Sequence, residues 1–205
     1  MLKELDLQYA DYVGIDEAGR GNLAGSLVFC GARLKPGKTV EDIAFANDSK
    51  SMPKKKREEL YKKVIEVVDY HVVFIYPAYI DDNGLSDAHK HCLGQIKYYF
   101  QNSKYLYDGK TSYKVPNIET LVKADAKVSI VAAASIIAKV EKDREMKEQA
   151  LLYPEFDFEN NAGYGTAKHI ELIKEHGYTP QHRRSFNVKA LTGIQIKEYE
   201  SKLWL

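Results

Sequence analysis

The chain has 205 residues, 44% of them hydrophobic, which is enough to bury one core and short enough to make a single domain the first expectation. Its 30 Lys and Arg nearly balance its 29 Asp and Glu, so the net charge of +1 points to no polyanion partner, and local basic patches would have to meet one. Cys30 lies in an apolar run and Cys92 in a His-rich stretch, which is not a disulfide framework and fits a reducing compartment. Glu4 and Asp6 stand where a secretion signal would carry its apolar core. The most apolar long stretch, residues 128–138, is roughly half the ~20 residues that span a bilayer. The expectation is a cytoplasmic protein with no membrane partner.

In chain order, residues 12–16 and 26–34 predict two strands, turned back on each other by Ala18-Gly19-Arg20-Gly21-Asn22-Leu23-Ala24-Gly25. A helix is predicted over residues 53–68, with Pro53 in its first turn and Leu60, Val64, Val67 and Val68 at helical spacing. Its other face carries Lys54, Lys55, Lys56 and Arg57. Residues 71–76 are a β-branched and aromatic run, residues 86–100 return to helical spacing, and a short strand over 105–107 ends at Asp108-Gly109. Residues 119–122 predict a further strand ahead of Lys123-Ala124-Asp125. A long helix follows over residues 129–146, with Ile130, Val131, Ala134, Ile137 and Ala138 inward and Ala132 to Ala134 allowing close approach to a sheet. Thr166 is expected to cap a helix to about His176, stopped by Gly177, and residues 190–205 read as a final helix or a loose tail. The alternation predicts an α/β fold with a mixed sheet.

Asp16-Glu17, Asp108 and Asp125 stand at or just beyond predicted strand ends, where sites in α/β sheets collect. Regular strands alternate faces, so Asp16 and Glu17 share a site only if the chain leaves regular geometry at the Gly-rich bend. Carboxylates gathered without a counter-ion raise each other's pKa, and hard divalent cations such as Mg²⁺ or Mn²⁺ remove that penalty. Two such ions ~4 Å apart can hold a phosphodiester, activate water and stabilise a leaving oxygen. Taken singly, each acid fits a turn or a helix cap better, and periodicity does not bring the four together. His89, His91 and Cys92 lack the second pair a zinc site needs, and Ser135 reads as a helix hydroxyl bonded to its own backbone.

Gly14-Ile15-Asp16-Glu17-Ala18-Gly19-Arg20-Gly21, followed by Leu23-Ala24-Gly25, resembles the opening signature of the type 2 ribonuclease H (ribonuclease HII) family. Further blocks resemble that family in the same order: Asn47-Asp48-Ser49-Lys50, Asp108-Gly109, Lys123-Ala124-Asp125-Ala126-Lys127, the run from Ala132 to Val140, Gly163-Tyr164-Gly165-Thr166, and His182-Arg183-Arg184-Ser185-Phe186. Several blocks in order are far more specific than any one motif. The resemblance implies a ribonuclease H-like mixed β-sheet flanked by helices, a catalytic domain over residues 1–186, and a small C-terminal helix or tail over 187–205. It implies that Asp16, Glu17, Asp108 and Asp125 are the metal-binding, catalytic carboxylates and that Mg²⁺ or Mn²⁺ is the cofactor.

The implied substrates are RNA/DNA hybrids and DNA duplexes containing ribonucleotides, met by a monomer. Glycines let a backbone come close to a sugar and its 2′-hydroxyl, so the resemblance gives Gly19, Arg20, Gly21 and Tyr164 the reading of the ribonucleotide, and Lys50 and Arg183 phosphate contacts. The chain departs from the family where Asn22 and Ser26 replace prolines, where Pro53 replaces serine, and where Lys142-Asp143 replaces arginine-aspartate. Two other readings remain open: another two-metal nuclease of related fold, and a module that binds hybrids without cutting them.

Overall fold

The computed structural model describes residues 4–48 and 53–200, the side chains of 47 and 48 aside. In chain order the elements are β1 (Tyr12–Ala18), β2 (Leu27–Leu34), α1 (Val40–Ile43), α2 (Lys54–Val67), β3 (Val68–Ile75), α3 (Pro77–Asn83), α4 (Leu85–Tyr99), β4 (Lys104–Asp108), β5 (Glu119–Leu121), α5 (Ser129–Leu152), α6 (Phe158–Asn161) and α7 (Ala167–His176). Strand order in the sheet is β3-β2-β1-β4-β5. The β1–β2 pair is an antiparallel hairpin, whereas β4 runs parallel to both β1 and β5. This is the α/β fold with a mixed sheet flanked by helices that the order of elements implied.

Residue alternation assigns the two faces of the sheet. Gly14 and Asp16 on β1, Cys30 and Ala32 on β2 and Leu106 on β4 share one face by register. Cys30, Ala32 and Leu106 join one apolar cluster with Val131, Ala134 and Ala138 of α5 and Leu60 and Val64 of α2. The helix lies so close that a Cβ added at Gly14 would stand 2.7 Å from the backbone of Ile130 and Val131. The opposite face carries Ile15, Glu17, Phe29 and Tyr107, and Tyr105 there donates its hydroxyl to the carbonyl of Phe100, just past the end of α4, at 2.6 Å.

The chain forms two compact units: Met1–Ala18 with Val28–Phe74 and His89–Val140, and Gly19–Leu27 with Ile75–Ala88 and Glu141–Leu205. The first holds the sheet face just described. The second has its own cluster of Ala24, Met146, Phe156, Phe158, Ile173 and Leu191.

Differences from the sequence reading have local causes. The helix α3 was not anticipated because seven residues are too few to show a period, yet Pro77 at its first position and Gly84 at φ 81° bound it clearly. The long helix α5 runs past Met146 to Leu152, where Tyr153 and Pro154 end it. The C-terminal helix expected from residue 190 shrinks to one tight turn, Lys189–Leu191. Beyond it the Tyr178 amide donates to Lys197 and the Tyr199 amide to Tyr178, both at 2.9 Å, so the chain there pairs as an extended segment. Residues 201–205 of that expected helix lie outside the described residues.

Gly14→Ala should destabilise the protein by about 1–3 kcal/mol, because backbone on both sides must move to admit one methyl group. Chemical denaturation of the two proteins measures this, and an unchanged midpoint would contradict the close approach of α5.

Candidate active site

Three of the four expected acids converge. Asp16 near the end of β1, Asp108 at the end of β4 and Asp125 in the turn Ala124–Ala126 each offer an oxygen, and these oxygens lie within 4.8 Å of one another. Parallel pairing of β1 with β4 brings the first two side by side. Asp125 arrives from a left-handed Lys123 (φ 58°), and its amide donates to Asp108 Oδ2 at 3.3 Å. Buried carboxylates this close oppose one another's ionisation. Burial first, then the charges of Glu17 and Asp108, raise Asp16 well above the usual carboxylate range, against a hydrogen bond from Ser135. Burial and then Asp125 push Asp108 up to about 6.

Glu17 is placed differently. The strand β1 stays regular through Ala18, so Glu17 points to the sheet face opposite Asp16. Tyr107 donates its hydroxyl to Glu17 Oε2 at 2.8 Å, and the buried His89 sets Nε2 4.0 Å from Oε1. His89 itself packs edge-on to Phe29 and against Tyr113. Burial first, then Glu17, raise the Tyr107 phenol, which stays a donor at neutral pH.

Ser135, Tyr107 and His89 are site residues that sequence reasoning missed. Ser135 sits in an alanine run that reads as core, and its bond to Asp16 depends on how α5 lies on the sheet. For Tyr107 a signal existed, since the residue before a strand-end acid faces the way Glu17 does. His89 belongs to the His-rich stretch that was weighed only for zinc.

The second unit holds the other expected residues, apart from Lys50, which lies outside the described residues. Gly19 (φ 82°) turns the chain, and a Cβ there would meet the Ser26 carbonyl at 2.8 Å. Arg20 and Gly21 are exposed, and an added Cβ at Gly21 would meet nothing within 4 Å. Tyr164 is 48% exposed on the turn before α7, which Thr166 caps by accepting from the His169 amide at 3.2 Å. Leu23 and Ala24 donate their amides to the Gly163 carbonyl at 2.8 and 3.1 Å, tying this turn to the Gly-rich loop.

Arg183, expected on phosphate, is only 2% exposed. Its guanidinium donates to Gly25 O through Nε (3.0 Å) and Nη2 (2.8 Å) and to Arg20 O through Nη1 (3.1 Å), so it builds the loop from inside. The departures from the family pattern also hold this loop. Asn22 Nδ2 donates to Ala162 O at 2.6 Å, and Glu145 accepts from both the amide (3.0 Å) and the hydroxyl (2.5 Å) of Ser26. A proline at 26 would lack that amide proton. Buried Lys142 donates to the same Glu145 at 2.8 Å.

A mixed sheet of this order, with acids gathered at adjacent strand ends, defines a ribonuclease H-like α/β protein. The family model for ribonuclease HII matches residues 13–189. Ribonuclease HII of Sulfurovum sp. is 47% identical over 87% of this chain and 92% of its own, and that of Aliarcobacter butzleri is 46% identical over 89% and 94%. The crystal structure of ribonuclease H2 from Pyrococcus horikoshii has a TM-score of 0.71 at 28% identity, covering 86% of this chain and 93% of that one. The chain belongs to the ribonuclease HII family and is a hydrolytic endoribonuclease acting on nucleic acid.

The raised carboxyls predict a pH dependence for the metal-free protein. A carboxyl whose folded pKa exceeds its unfolded value contributes stability that is complete below the unfolded pKa and is lost as pH rises through the folded one. In chelator, the unfolding midpoint should therefore fall as pH rises from about 4 past about 6, and Asp108→Asn should flatten the decline. Identical pH profiles for the two proteins would contradict the crowding of these acids.

Proposed function

We propose that the protein cleaves the RNA-containing strand of RNA/DNA hybrids and cuts 5′ to single ribonucleotides embedded in DNA duplexes, leaving 3′-hydroxyl and 5′-phosphate ends. The observation that carries this reading is the convergence of Asp16, Asp108 and Asp125 within 4.8 Å. Their oxygens suit hard divalent cations, and the raised pKa values of Asp16 and Asp108 signal a site that gains from added positive charge. Asp16, Asp108 and Asp125 would hold Mg²⁺ or Mn²⁺; Glu17, the fourth ligand that the family resemblance implies, lies on the opposite face of β1 with Tyr107 and His89 and stands apart from their convergence. When bound, such cations supply the charge that polarises the phosphodiester, eases deprotonation of an in-line water and stabilises the leaving oxygen.

The protein's own residues orient these ligands. The Ser135 hydroxyl steadies Asp16, and the Tyr107 hydroxyl fixes Glu17. At Gly21 an added Cβ would meet nothing within 4 Å among the described residues, so the backbone there is open to a ligand that comes close. In this reading Gly19, Arg20 and Gly21 bring backbone amides to the 2′-hydroxyl and adjoining phosphate, and the exposed Tyr164 ring stacks on the neighbouring sugar. Arg183 serves by holding Arg20 and Gly25 in place, and Lys50 by contacting phosphate. The buried thiols of Cys30 and Cys92 fit a reducing, cytoplasmic setting, and we take the working form to be a monomer.

End-labelled DNA duplex with one ribonucleotide, incubated with Mg²⁺, Mn²⁺ or chelator beside an all-DNA control, tests the reading. Metal-dependent cutting 5′ to the ribonucleotide is expected, with Asp16→Asn slower by roughly 100-fold or more and Tyr164→Ala losing preference for the ribonucleotide. Cutting in chelator, or equal cutting of the all-DNA duplex, would sink it.

A further inference from the structure

Two buried histidines of the second unit face each other outside the acidic site. His169 of α7 and His182 set their Nε2 atoms 3.1 Å apart, and both rings are fully or almost fully shielded from solvent. What lies at each end of the pair fixes where the protons are. His169 Nδ1 lies 2.8 Å from the Tyr164 carbonyl, which can only accept, so Nδ1 carries a proton. The Thr179 amide, which can only donate, lies 2.9 Å from His182 Nδ1, and the Thr179 hydroxyl at the same distance can donate too, so that nitrogen is bare and His182 carries its proton on Nε2. A neutral His169 then has a bare Nε2 to accept it. One direction satisfies the whole chain: Thr179 N–H to His182, His182 N–H to His169, His169 N–H to Tyr164 O.

A second proton on either ring would point one N–H at another. The surroundings also disfavour charge. Phe156, Phe158 and Tyr178 pack around the pair, and His176 and Tyr199 lie against Phe156. Burial, then the neighbouring His169 and Arg184, push His182 down to about 3, and burial lowers His169.

The pair joins the two parts of the protein that the proposed function assigns to the ribonucleotide. At one end the Tyr164 carbonyl is held by His169 and by the Thr166 amide at 2.8 Å, while the Tyr164 amide donates to Asn161 at 2.9 Å. At the other end, His182 adjoins Arg183, whose guanidinium holds Arg20 and Gly25. We infer that His169 and His182 are positioning residues, a neutral hydrogen-bonded relay that sets the Tyr164 backbone in fixed spacing from the Gly19-Arg20-Gly21 loop. A spacing held in this way lets one aromatic ring and one loop test adjacent sugars together. The inference rests on the ribose reading of Tyr164 for its consequence, and on the hydrogen-bond chain alone for its geometry.

Two measurements on the full chain test it. Ring ¹⁵N shifts at pH 7 should show His169 neutral with its proton on Nδ1 and His182 neutral with its proton on Nε2. The opposite tautomer at either ring, or a charged ring, would overturn the relay. His169→Phe keeps an aromatic ring among Phe156 and Phe158 but removes both nitrogens. It should lower kcat/KM on the single-ribonucleotide duplex about tenfold, to the level of Tyr164→Ala, and the double variant should be no slower than either single one. Losses that multiply would show that His169 acts on the fold generally and would overturn the positioning role. Should Tyr164→Ala keep full rate and preference, the ribose reading fails and takes the relay's functional consequence with it. The ¹⁵N spectra judge the geometry independently of that result.

Discussion

Like charges held together in a partly buried place are the constraint on which this architecture turns. Asp16, Asp108 and Asp125 share a space of 4.8 Å, and burial alone already lifts the first two above their ordinary range. Folding must bear that cost wherever the acids ionise, so the surrounding structure is built to tolerate it. The central strands β1 and β4 fix two of the acids through backbone hydrogen bonds that side-chain repulsion cannot easily break. The alanine-rich start of α5 seals the face beneath them and brings Ser135 to Asp16. The tolerance of Gly14 for no side chain at all is part of the same device, because α5 must come that close.

Around the Gly-rich loop the problem is the reverse: exposed backbone has to be held rigid without a core of its own. Arg183 does this from the inside, its charge spent on two carbonyls rather than on solvent. Asn22, Ser26, Lys142 and Glu145 add polar ties where the family's prolines would restrict the backbone directly. A buried donor left unpaired costs more than the bond contributes, and the donors of Asn22, Ser26 and Lys142 each meet an acceptor, although Asn22 Oδ1 is buried without a partner among the described residues. The histidine pair obeys the same logic, and every nitrogen of the two rings has a defined role in it.

Much of this was legible in the sequence. Every strand was anticipated with its approximate extent, as were α2, α4, α5 and α7, because each carries the period or the cap that its conformation requires. Thr166 and Gly177 bounded α7 as expected. The short helices α1, α3 and α6 were not legible, and the C-terminal segment was misread because it is held by pairing to Tyr178 and not by its own propensity. The acids are legible by type and position, while Ser135 reads as bonded to its own backbone, His89 reads only as a zinc candidate and Tyr107 gives no reading, because their roles come from contacts across the sheet.

By itself the sequence determined the alternation of elements, the acids near strand ends, the glycines of the loop and, through ordered motifs, the family. These are local or additive properties, set by periodicity, by φ preferences and by the chemistry of single residues. Only the tertiary structure decided that Asp16, Asp108 and Asp125 converge, that Arg183 is buried under a loop, and that His169 and His182 meet. Each of these depends on which residues distant in the chain become neighbours, and spacing along the chain does not encode that distance.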